Sequence, residues 1–112
     1  MTRGGTHLWI AQRVTAMILA VAVVVHLATI ILAVRGGLTA AEIIGRTSGS
    51  EAWLAFYAVF ALAAGLHGAI GLRGTAAEWL GWRGRAFDVT WLAIGLLTAA
   101  FGIRAALGLY DA

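Results

Sequence analysis

The hydrophobic pattern of this chain is one of long unbroken runs. No charged residue occurs over the 21 positions from Val14 to Val34, bounded by Arg13 and Arg35, nor over the 21 from Ala52 to Leu72, bounded by Glu51 and Arg73. About 20 apolar residues rising 1.5 Å each cross the roughly 30 Å hydrocarbon layer of a bilayer. A third run, Val89 to Ile103, is charge-free for 15 residues and continues past Arg104 to Tyr110. Its length suffices if Arg104 snorkels toward the far boundary, with Trp91 and Tyr110 anchoring the two ends. The runs predict an all-α membrane protein of three transmembrane helices, at about 9–34, 51–72 and 87–109, in one domain spanning residues 1–112. The first run is too long for a signal-peptide core and has no small-residue cleavage site behind it, so it is expected to be retained.

The segments between the runs carry helix-start signals. Thr39-x-x-Glu42, Ser48-x-x-Glu51 and Thr75-x-x-Glu78 each fit a capping box, in which hydroxyl and carboxylate satisfy backbone amides reciprocally. The first predicts a short surface helix at about 40–46, and the second helix is expected to begin near Ser50. The third box either opens an interfacial helix carrying Trp79 and Trp82 or lies inside an extended second helix. Neither repeats nor a linker are visible, and 15 glycines among the apolar segments suit close helix–helix approach.

Composition sharpens this picture. Hydrophobic residues make up 62% of the 112 positions and charged residues 12%, against about 25% charged in a soluble domain. That excludes a water-soluble globule and a disordered chain alike. Absence of cysteine excludes disulfides, thiolate metal sites, a thiol nucleophile and an iron–sulfur cluster held by this chain. The net charge of +3 comes from arginines spread singly at the ends of apolar runs, a membrane pattern and not a nucleic-acid-binding one. Arg3, Arg13, Arg73, Arg83 and Arg85 lie on the N-terminal side of the membrane, against Arg35, Arg46 and Arg104 on the other. This favours a cytoplasmic N-terminus and an outside C-terminus. No serine lies in a span and the glycines follow no strand, so hydrolysis and nucleotide binding find no support.

Ionisable residues inside a span are costly and mark function or a buried partner. His26 lies two residues past the middle of the first run and His67 five past the middle of the second. In antiparallel helices these offsets point to opposite faces, about 10 Å apart along the membrane normal. Imidazole in an apolar bundle suits axial ligation of haem iron. Both histidines have small neighbours at helical spacing: Ala22 and Thr29 around His26, and Ala63, Ala64 and Gly71 around His67. The simpler alternative is that each histidine only bonds a neighbouring helix. Should both ligate iron, the depth difference assigns them to different haems, with the remaining ligands supplied by another subunit or another copy. At the cytoplasmic boundary Trp9, Gln12, Arg13 and Thr15 meet Arg73, Glu78, Trp79, Trp82 and Arg83. An interfacial aromatic and arginine belt explains much of this cluster. The donors Trp9, Arg13, Thr15 and Trp79 also suit a pocket for a lipid-soluble carrier with carbonyl oxygens, such as a quinone. Asp88 and Asp111 read as helix-end charges. Arg104 reads as a snorkelling anchor, a haem-propionate partner or a subunit contact.

Gln12-Arg13-Val14-Thr15-Ala16 at the start of the first span, with His67-x-x-x-Gly71 late in the second, resembles the membrane-anchor (cytochrome b) subunits of succinate dehydrogenase and fumarate reductase. The resemblance covers essentially the whole chain. It implies an integral anchor in the inner (cytoplasmic) membrane, packed with a second anchor subunit or as a homo-oligomer. Flavoprotein and iron–sulfur subunits would dock at its cytoplasmic face and pass electrons to a quinone. By the same resemblance His67 would be an axial haem b ligand, with Gly71 and Arg73 near that haem. His26 corresponds to the extra histidine of two-haem members. Arg13 and Thr15 would lie near the quinone or a haem propionate, and Glu78-Trp79 would fill the positions of an Asp-Tyr pair at the quinone site. Trp79 departs from that tyrosine: an indole N–H donates to a carbonyl but cannot relay a proton as a phenol can. Two other classes fit the same residues: a haem-free structural anchor, and a small proton- or ion-conducting membrane subunit with both histidines on its path.

Overall fold

The computed structural model describes residues 3–112; the side chain of Arg3, counted in the orientation argument, lies outside what it describes. Four helices follow one another: α1 (Arg3–Arg35), α2 (Ala40–Thr47), α3 (Glu51–Leu80) and α4 (Arg85–Asp111). Three of them, α1, α3 and α4, are long and apolar enough to cross a membrane. The bundle measures 48 × 23 × 22 Å. The middle helix is α3: it packs against α4 along one side and α1 along the other, while α1 and α4 make no substantial contact.

Small residues set both interfaces. On α1 the buried positions are Thr15, Ala22, Thr29 and Ala33, mostly seven apart. That spacing keeps one narrow seam on a partner helix. Between α3 and α4 the backbones come closer still. A Cβ built on Gly65 would stand 2.5 Å from the Gly95 carbonyl oxygen, one on Gly95 2.8 Å from the Ala69 Cβ, and one on Gly102 2.5 Å from the Ala61 Cβ. Ala61, Gly65 and Ala69 recur every fourth residue, the small-residue seam that lets helices touch without help from a hydrophobic effect.

The connections use local chemistry. The Thr39 hydroxyl accepts from the Glu42 amide and starts α2. Ser50, not Ser48, caps α3, accepting from the Trp53 amide. Gly49 turns the chain between them at φ 65°. This frees the Ser48 hydroxyl to donate to the carbonyl of Ala112. Together with the Gly49 amide on the Tyr110 carbonyl (2.9 Å), it ties the α2–α3 connection to the end of α4. The third capping box opens no separate helix. Thr75 lies inside α3, its hydroxyl donating to the Gly71 carbonyl at 3.0 Å, and α3 runs on to Leu80, where Gly81 ends it in the left-handed region. At that end Phe87, 2% exposed, is buried with Ala76 and Ala77, and Trp91 packs on the cluster. The Trp82 ring lies 5.0 Å from that of Phe87.

Candidate functional site

His67 faces α1. Its Nδ1 lies 3.1 Å from the Thr15 hydroxyl, and Thr15 is 5% exposed. That hydroxyl also lies 2.7 Å from the Ala11 carbonyl and 3.1 Å from that of Gln12. A hydroxyl has one proton to give. Given to Ala11, the shortest contact, it leaves the oxygen to receive the Nδ1–H of His67. The imidazole is then the Nδ1–H tautomer, with the Nε2 lone pair free, and Nε2 has no hydrogen-bond partner among the described residues. A neutral imidazole oriented through one nitrogen and open at the other is the arrangement of a metal-ligating histidine.

His26 sits in a different setting. Its ring meets Tyr57 edge-on at 5.9 Å and Phe60 at 5.6 Å, inside a run of aromatics in which Trp53 stacks on Tyr57. Its Nδ1 is buried and has no hydrogen-bond partner among the described residues. A cavity of about 220 Å³ beside it is lined by Thr29, Arg46, Tyr57 and Leu109, among others. Arg46 is paired with Glu42 at 2.7 Å and lies 6.0 Å from the centre of the Trp53 ring.

These contacts fix the relative depth of the two histidines. On α1 the partner of His67 is Thr15, eleven residues before His26, or about 16 Å of helix. On α3 the partners of His26 are seven and ten residues before His67, about 10 to 15 Å. The chain therefore presents two imidazole sites at separate levels. Among the described residues no group of three or more His, Asp or Glu side chains converges on one point.

At the N-terminal end of α1, one turn beyond Thr15, a cavity of about 570 Å³ opens between α1 and α3, lined by residues that include Trp9, Gln12, Gly71, Arg73 and Glu78. The site residues expected from the sequence divide here. Trp9 lines the cavity, and the Arg13 guanidinium lies 4.9 Å from the centre of its ring. Thr15 is turned inward onto His67 and is not part of the lining. Trp79 is 83% exposed and also outside the lining. The cause is helical geometry: His67, Gly71 and Glu78 share one face of α3, and the residue after Glu78 is rotated by about 100°. Arg73 reaches the cavity but gives its Nε to Asp88 at 2.9 Å. The space beside Gly71 is taken by Gln12, whose Nε2 would stand 3.1 Å from a Cβ there. Gln12 and Glu78 thus enter the lining ahead of Arg13, Thr15 and Trp79. The face shared by positions 67, 71 and 78 was the available signal. Arg104 is exposed, with no ion pair or hydrogen bond among the described residues.

The family model of the succinate dehydrogenase/fumarate reductase transmembrane subunit matches residues 2–105. Neither a curated protein nor a solved structure matches the chain significantly. The match covers most of the molecule, and the chain belongs to this family: it is a multi-pass membrane subunit that anchors a complex with other subunits.

Proposed function

We propose, from that membership, that the chain holds haem b through His67 and forms one wall of the quinone site of a succinate:quinone or fumarate:quinone oxidoreductase. The observation that carries the reading is the Thr15–His67 hydrogen bond, which turns the imidazole and leaves Nε2 for iron. Haem b, when bound, supplies a one-electron carrier inside the bilayer. Within this chain Thr15 orients His67, and the small residues Ala63 and Gly71 on the same helix keep the surroundings lean. His26 is the proposed ligand of a second haem at the other level. Its buried, unpartnered Nδ1 is the orphan that a ligand or a group on a second chain would satisfy. Each level offers one histidine, so a second anchor chain or another copy completes each site.

The cavity at the N-terminal end is the proposed quinone mouth. It opens on the side where, by the arginine distribution, the cytoplasm lies and where flavoprotein and iron–sulfur subunits would dock. Trp9 and Arg73 offer donors to a quinone carbonyl, and the carboxyl of Glu78 lies exposed at the rim.

The test is a reduced-minus-oxidised spectrum of the complex purified from its native membrane, compared with His67→Ala. Cytochrome b bands in the wild type that weaken or vanish in the variant support the ligand. A complex that reduces quinone without such bands would return His67 to a packing role, tying α1 to α3.

A further inference from the structure

The amide of Gln12 is held in neither of its two orientations. Its Oε1 is buried and has no donor, and Nε2, beside Gly71, makes no hydrogen bond among the described residues. The backbone around it lies inside α1, with its own carbonyl 3.1 Å from the Thr15 hydroxyl. Gln12 lines the cavity that contains Arg73 and Glu78. A carboxamide carries an acceptor at one end and two donors at the other, and rotation about its last bond exchanges them without a change of charge. In most buried sites an internal hydrogen bond decides between the two settings; here none does.

We infer that Gln12 is a binding residue that follows the oxidation state of the ring in this mouth, an inference that rests on the quinone reading above. With Nε2 turned to the cavity it donates to a quinone carbonyl. Turned over, Oε1 accepts the O–H of the hydroquinone. Arg73 can only donate and an ionised Glu78 can only accept, so Gln12 alone among these three serves both forms equally. Gly71 makes room for the turn: a Cβ there would stand 3.1 Å from Nε2.

The experiment uses the complete complex and a quinone bearing a photoreactive azide. Its labelling of this chain is competed by a short-chain benzoquinone or by the corresponding hydroquinone. Labelling of the wild type within residues 5–12 or 70–78 places the ring in this mouth. Labelling elsewhere overturns the quinone mouth, and this inference with it. Given labelling here, Gln12→Leu is expected to raise the half-competing concentration of both forms about tenfold, the loss of one buried hydrogen bond to each. Gln12→Glu keeps the shape and, ionised, presents acceptors only. It is expected to weaken the benzoquinone about tenfold and not to weaken the hydroquinone, whose O–H then meets a charged acceptor. Unchanged competition in Gln12→Leu, or equal weakening of both forms in Gln12→Glu, overturns the inference while leaving the mouth in place. The haem spectrum reports the integrity of each variant.

Discussion

One hydroxyl decides which nitrogen of His67 is available. Thr15 passes its proton back to the Ala11 carbonyl of its own helix and takes one from the imidazole across the interface. Thr15→Val keeps the volume and removes the bond. It is expected to lower haem affinity at the His67 site by about tenfold or more, the usual effect of losing a partner that orients a metal ligand. Thr15→Ser is expected to restore it, with haem content after detergent washing as the readout. Equal retention in Thr15→Val and wild type would show that the bond only packs helices. The Arg73–Asp88 pair is a different case: the side chains are 39% and 56% exposed, and solvent screens them. Asp88→Asn is therefore expected to change thermal stability by less than about 1 kcal/mol, measured as the midpoint of heat-induced aggregation in detergent.

The helices were legible in the sequence where charge was absent, and less so where it returned. Uninterrupted apolar runs identify α1, α3 and α4 because a helix satisfies all its backbone polar groups within one segment, as lipid requires. Charge says little about where a helix stops in water: α3 continues past Arg73 to Leu80 and α1 begins at Arg3. Ser50 was readable as the start of α3, and its competitor Ser48 was excluded by the left-handed turn at Gly49. Interhelical register was the least legible feature. The family resemblance put Glu78 and Trp79 together at one site, whereas the bundle makes Glu78 part of a cavity wall and leaves Trp79 outside it. The glycines were visible as a class, but their partners were not; the structure matches Gly65 with Gly95 and Gly102 with Ala61. Overpacking such a seam costs about 1 to 3 kcal/mol or more. Gly65→Ala, whose Cβ would stand 2.5 Å from the Gly95 carbonyl oxygen, is thus expected to lower the yield of assembled complex sharply, while Gly68→Ala, where an added Cβ meets nothing within 4 Å, leaves it near the wild-type level. Quantitative blotting of the purified complex against total membrane protein gives both values.

As a whole the molecule is an elongated bundle with a largely apolar outside, and the two histidines within its spans lie between α1 and α3. Val21 and Val24 are each 67% exposed, as residues facing lipid or another anchor chain are. The two imidazoles stand at separate levels, one beside Thr15 near the cavity lined by Gln12 and Glu78, the other among Tyr57 and Phe60 nearer the α2 end. Two haems at these levels would form a path for electrons along the membrane normal. A separate haem at each level is the central assignment. Its most direct test is haem content per copy of this chain in the complex from native membranes, for wild type, His67→Ala and His26→Ala. With one haem per level, each substitution is expected to remove one distinct haem signal and spare the other. A wild-type complex without haem, or two substitutions that abolish the same single signal, would contradict it.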